Sequence, residues 1–241
     1  MMRMLVILAS AVGIASSGWA ASIAITNYDF ETDGAVDNFA SNSWNGGVKI
    51  PTGWQAVPGA APGGDFYGYY NPINDAGGYI SGVSGTPGVT GTMAGPNVFY
   101  FGSAVNGQGI QQILSATFEL NTDYTLTVAR GTRNSIFNNS LRMMLFAGTT
   151  LLTSRDVAPE PDGSRGTFLD YSTTYTYNAE NSSLVGQALM IRFLEIDNPG
   201  NPQAEVDIDN VRLEAVPEPA SGMLLVAGLT ALAVMRRRRA S

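Results

Sequence analysis

The chain has 241 residues with 28 glycines, 12 prolines, no cysteine and no histidine, and a formal net charge of −7. Without Cys or His it cannot form disulfides, thiolate or imidazole metal sites, or Ser-His-Asp and Cys-His catalytic groups. Residues 21–215 carry eight basic side chains, Lys49 and seven arginines, against nineteen acidic ones, which argues against a nucleic-acid partner.

Met1, Met2 and Arg3 form a short basic start. An apolar run follows over 4–15, then small residues over 16–20 with Gly18 and Ala20 at the −3 and −1 positions of a cut. This layout predicts a secretory signal peptide over 1–20, read by the secretion translocon and signal peptidase. Its apolar stretch is too short for a typical membrane span, although an uncleaved anchor is the alternative.

From Ser22 onward short alternating or apolar runs are separated by Gly, Pro and Asn turns. Strands are expected over 22–27, 78–81, 98–102, 111–120, 124–130, 141–147, 167–177, 188–196 and 205–214. Tyr124-Thr-Leu-Thr-Val128 is a clear case, β-branched and aromatic with period two. Nine strands at this spacing, and no sustained helical period, predict an all-β antiparallel sandwich over 21–215. Residues 42–109 are rich in Gly and Pro and read as long loops. These early loops hold Trp44, Trp54, Tyr67, Tyr69, Tyr70 and Tyr79. Aromatic rings suit the C–H faces of sugars, so Trp44, Tyr67, Tyr69 and Tyr70 are candidate ligand contacts, whereas Trp54 is expected to pack on the sandwich.

At the other end Val216-Pro217-Glu218-Pro219 precedes an apolar run over 220–235, four arginines, Arg236, Arg237, Arg238 and Arg239, and the last two residues. Sixteen residues make a helix of about 24 Å, enough for a single C-terminal transmembrane helix once the arginines snorkel. Four arginines favour the cytoplasmic side, so the domain is expected outside and the arginines stop transfer. A plain single-span anchor, kept without cleavage, is the alternative for these residues.

The order Pro-Glu-Pro, apolar helix, arginine cluster over 216–241 resembles the PEP-CTERM sorting signal of Gram-negative bacteria. The resemblance implies an inner-membrane stage, then tail removal by a membrane-embedded cysteine protease, an exosortase. It also implies a destination at the cell surface or in exopolysaccharide and biofilm matrix.

A second resemblance covers the domain. Asn27-Tyr-Asp-Phe-Glu31, Pro51-Thr-Gly-Trp54 and Asp207-Ile-Asp-Asn-Val-Arg-Leu213 are similar to the opening and closing strands of jelly-roll carbohydrate-binding and galactose-binding-like modules. It implies a jelly roll whose opening Glu and closing Asp hold a structural calcium ion, here Glu31 and Asp209 with Asp29 and Asp207 nearby. Calcium takes six to eight oxygens, so carboxylates from both ends are chemically suitable. Asp207, Asp209, Val211 and Leu213 share one parity. Either a bulge near Asn210 switches faces or Asp209 turns inward; solvated strand charges are the bland alternative.

No carboxylate pair stands out, and Glu160 and Asp162 read as a solvated Pro-Glu-Pro-Asp-Gly turn. The sequence therefore leads to an exported protein that is not an enzyme. It acts by non-catalytic binding, plausibly of extracellular polysaccharide. A structural or adhesive matrix protein is the alternative, with a carboxylate hydrolase behind it.

Overall fold

The computed structural model describes residues 19–33, 50–57, 66–70, 94–95, 97–102, 107–131, 139–158, 168–196 and 205–218. Residues 1–18 of the expected signal peptide, Trp44, Tyr79, the expected strand at 78–81 and the tail from Pro219 onward lie outside these residues.

Alternating apolar residues generate two sheets that share one core. In β6 (Thr122–Gly131) Tyr124, Leu126 and Val128 are fully buried. On the opposite face Thr125 and Thr127 bond Thr174 and Ser172 of β9 (Leu169–Tyr175) at 3.1 and 2.8 Å. This is the period-two pattern of a sheet with one buried face.

The first sheet runs β3 (Phe66–Tyr70), β4 (Val98–Gly102), β11 (Glu205–Pro217), β6, β9, with β1 (Ala21–Ile23) also paired to β11. The second runs β2 (Gln55–Ala56), β5 (Gly109–Thr117), β10 (Ala188–Ile196), β7 (Ser140–Ala147), β8 (Thr150–Val157). Every pairing between described strands is antiparallel. The all-β jelly-roll sandwich read from the sequence is thus the observed architecture.

Three strands escaped the sequence reading. β2 and β3 fall inside the stretch taken as loop, and β8 is largely polar. β8 exists because Gly148, at φ 56°, lets Gly148-Thr149 close a hairpin that pairs Ala147 with Thr150.

Strand β11 organises the rest. Its residues 205–208 pair with β4 and residues 213–215 with β1, so on that side 209–212 fall between two partners. On the other side the register against β6 shifts between Asp209 and Arg212, and Asn210 is left-handed at φ 46°. This bulge moves the core face from Val206 and Ile208 to Val211 and Leu213. The first alternative raised by the sequence is therefore correct: Asp207 and Asp209 lie on the outer face of the sheet.

Arg130 continues the inward parity of β6 and is fully buried. Its guanidinium donates to the carbonyls of Asn139, at 2.6 Å, and Ala158, tying the start of β7 and the end of β8 to the opposite sheet.

Candidate active site

Two features lie on the outer face of β11, either side of residue 208. The first fills the split between β4 and β1. The chain turns at Asn27 and Phe30, both left-handed at φ 51° and 55°. Asn27 tolerates this geometry, and its side chain accepts from Thr32 N at 3.0 Å and donates to Asp33 at 3.0 Å. Phe30 does not tolerate it easily. It stays because its ring is fully buried, 5.3 Å from Phe99 and 5.7 Å from Trp54. The same turn brings Tyr28 O to the N–H of Val211 at 2.9 Å, supplying the partner that neither β4 nor β1 provides.

This turn carries Asp29 and Glu31 to Asp209. Glu31 accepts from both the backbone and the side-chain N–H of Asn97, at 2.6 and 2.8 Å. Asp209, fully buried, accepts from Ala94 N at 2.8 Å and Asn210 N at 2.6 Å. Burial raises the Asp209 pKa well above the ordinary value; the hydrogen bonds oppose this, while the charges of Glu31 and Asp29 add to it. Burial also raises Glu31, with Asp29 contributing. Such a carboxylate group favours a proton or a cation. Among the described residues no three acidic groups already stand at metal-ligand spacing.

The second feature surrounds Asp207, which is buried at 1 % exposure. It lies opposite Tyr100 of β4 and Gly131 of β6. Both neighbours depend on missing side chains. The phenol of Tyr100 lies over Gly68, and the ring of Phe168 lies over Gly131, where a Cβ would collide with each. Phe168 is fully buried and Tyr100 half-buried. A carboxyl is thus held on a rigid strand between two aromatic side chains. That environment suits proton transfer to an apolar ligand and stabilisation of a transient cation by ring faces.

The sequence-based ligand set needs correction. Tyr67 and Tyr69 face the core at 3 % and 5 % exposure, packed around Phe99, because β3 alternates and they occupy its inward positions. The Tyr69 hydroxyl donates to Asp33 at 2.6 Å. Tyr70 pairs with Val98 at the end of β3. Trp54 packs in the core as expected, its indole N–H donating to Asn27 O at 3.2 Å. Of the sorting residues, Pro217 ends β11, Glu218 follows it, and Pro219 and Arg236 to Arg239 lie outside the described residues. Among the described residues no helix is long and apolar enough to cross a membrane.

Tyr100 and Phe168 were missed, and Asp207 was read only as a possible metal ligand. The available signal was parity: in Val98-Phe-Tyr-Phe-Gly102 the tyrosine alternates with two core phenylalanines.

Comparison with known proteins gives the family and the sorting signal. Residues 21–214 match the HpiC1-like family, described as HpiC1 cyclase. Residues 215–239 match the PEP-CTERM protein-sorting motif, which marks an exported protein with a membrane-anchored tail before sorting and an exosortase as its processing partner. The Stig cyclase Fisc from Fischerella sp. TAU, solved with (3Z)-3-(1-methyl-2-pyrrolidinylidene)-3H-indole, is 26 % identical with a TM-score of 0.61, covering 83 % of this chain and 100 % of its own. A cyclase from Fischerella sp. TAU in complex with 4-(1H-indol-3-yl)butan-2-one is likewise 26 % identical at TM-score 0.61, over 82 % of this chain and 98 % of that one. An apo cyclase from Fischerella sp. is 25 % identical at TM-score 0.62, over 83 % and 98 %. No curated protein matches the chain.

These findings overturn the expectation of a non-catalytic binding domain that is not an enzyme. The missing His and Cys exclude only the familiar catalytic groups and leave carboxyl chemistry open. Residues 21–214 make this chain a member of the HpiC1-like cyclase family.

Proposed function

We propose that the mature protein is an exported cyclase that closes a ring in a flat aromatic, indole-like small molecule on the outer face of the six-stranded sheet. The observation that carries this is Asp207, a fully buried carboxyl between Tyr100 and Phe168 in a chain of this family. In its protonated form Asp207 gives a proton to an unsaturated carbon of the ligand. The resulting cation is attacked by the electron-rich ring, and the Asp207 carboxylate recovers the proton lost from that ring. Substrate and product are then isomers of one mass. Tyr100 and Phe168 offer ring faces to the cation and exclude water. A positioned acid of this kind contributes roughly 10²–10⁴ in rate. Tyr70, at the end of β3, is proposed as a further ligand contact.

The test uses indole-bearing unsaturated compounds, with conversion followed as a ring-closed isomer of unchanged mass. Asp207→Asn should lower turnover by roughly 10²–10⁴ while leaving the melting temperature nearly unchanged, since the amide has almost the same shape and stays polar. Full activity in this variant would sink the assignment. Binding of 4-(1H-indol-3-yl)butan-2-one should survive it.

We also propose that Glu31, Asp209 and Asp29 hold a calcium ion that welds the split between β4 and β1. The donor chemistry fits a hard cation: three carboxylates, two of them with pKa raised by burial and mutual charge. Asp207 belongs to the ligand site instead. EDTA should lower the melting temperature, and calcium should restore it. An unchanged transition counts against the ion. The proposed destination is the cell surface or the extracellular polysaccharide matrix, where surface labelling of intact cells would find the mature domain.

A further inference from the structure

The Pro-Glu-Pro motif is partly built into the sandwich. The family match ends at residue 214 and the sorting-motif match begins at 215, but β11 runs on to Pro217. Ala215, Val216 and Pro217 pair with Tyr124, Asp123 and Thr122 of β6. The N–H of Glu218 then donates to the carbonyl of Asn121 at 2.6 Å. On the other side of β11, Ala215 pairs with Ala21, the first residue after the expected signal-peptide cut. Both chain ends therefore leave the domain from one end of the sandwich. Residues 215–217 are thus held in the ladder to β6, with Glu218 bonded just beyond it.

A protease engages its substrate as an extended strand with unpaired backbone. Bonds inside a ladder become available only when the ladder opens. We propose that the folded sandwich sets the proximal limit of tail removal: the cleaved bond lies after Glu218, and the docked strand end presents that bond to the sorting protease. One peptide bond breaks. Water supplies the hydroxyl of the new C-terminal carboxylate and the proton of the tail's new amine. The mature domain then keeps the whole of β11, and no edge of the core is exposed by processing.

This inference rests on the sorting motif and not on the cyclase reading. Asp207 is ten residues back along the same strand, roughly 33 Å away, so failure of one leaves the other untouched.

The test expresses the full chain with an exosortase in a Gram-negative host and measures the intact mass of the mature protein. A C-terminal residue at Glu218 or later is expected, and one at Pro217 or earlier overturns the proposal. A second variant deletes Ala215 and Val216, drawing Pro217-Glu218-Pro219 two positions into the ladder. Pulse-chase should show tail removal slowed by at least about tenfold, because cleavage then waits for local opening. An unchanged rate, in a variant that still melts cooperatively, overturns it too. Should the deletion variant fail to fold, the wild-type mass alone decides.

Discussion

Replacing Phe30 tests the link between the opening turn and the core. Its ring is fully buried in the core against Phe99 and Trp54. Phe30→Ala removes that ring and leaves a cavity, at a cost of about 3–5 kcal/mol. For a domain of this size that lowers the melting temperature by roughly 6–20 °C. The backbone adds a second, sharper expectation. Phe30 has φ 55°, a region that costs an L-residue roughly 1–2 kcal/mol and costs glycine almost nothing. In ordinary extended or helical positions Gly is less stable than Ala by about 0.5–1 kcal/mol. Here the strain relieved should offset that penalty, so Phe30→Gly should be at least as stable as Phe30→Ala. Urea denaturation with a common m-value compares the two. A cost below about 1.5 kcal/mol for Phe30→Ala, or a glycine variant more than about 1 kcal/mol below the alanine one, refutes the reasoning.

Asp33 joins three segments, accepting from Thr52, Tyr69 and Asn27, and Asp33→Ala should cost about 1 kcal/mol by thermal or urea melting. Burial pushes its pKa up, but the hydrogen bonds from Thr52, Tyr69 and Asn27 outweigh it and leave the pKa below 3.8. A depressed folded-state pKa gives stability that is present above 3.8 and lost as pH falls, so wild type and Asp33→Ala should converge in acid. Glu31 and Asp209 work in the opposite direction. Their folded pKa values lie above 4.5 and 3.8, so the native state binds more protons than the unfolded one above those values. The EDTA-treated protein should therefore lose stability as pH rises from about 4 towards neutrality, and calcium should cancel that loss; a flat profile in EDTA refutes the coupling. Arg130→Met strips two buried carbonyls of their donor and should cost about 3 kcal/mol, read from the shift in the urea midpoint.

The sorting tail was legible because its signal is one-dimensional. Proline spacing, apolar length and arginine clustering are properties of the chain alone, and the match over 215–239 agrees with them. The core was legible for a similar reason: Tyr124, Leu126 and Val128 declare a buried face through local alternation. The aromatic candidates were harder. Tyr67 and Tyr69 looked like loop decoration, because the Gly-rich stretch before them hides that Phe66–Tyr70 is a strand with a hydrogen-bonded neighbour.

What the sequence alone determined is an exported all-β domain with a removable tail, since periodicity and segment order do not depend on which strands pair. Only tertiary structure set the surroundings of the acids on β11. Asp207 and Asp209 read as equivalent acids on one strand. They differ because Asp207 stands opposite Tyr100 and Gly131, while Asp209 meets a turn from the far end of the domain. Sequence separation between Glu31 and Asp209, or between Phe168 and Gly131, says nothing of their contact. The bulge at Asn210 and the glycines that admit aromatic rings create those contacts, and each acts through a neighbour that only folding supplies.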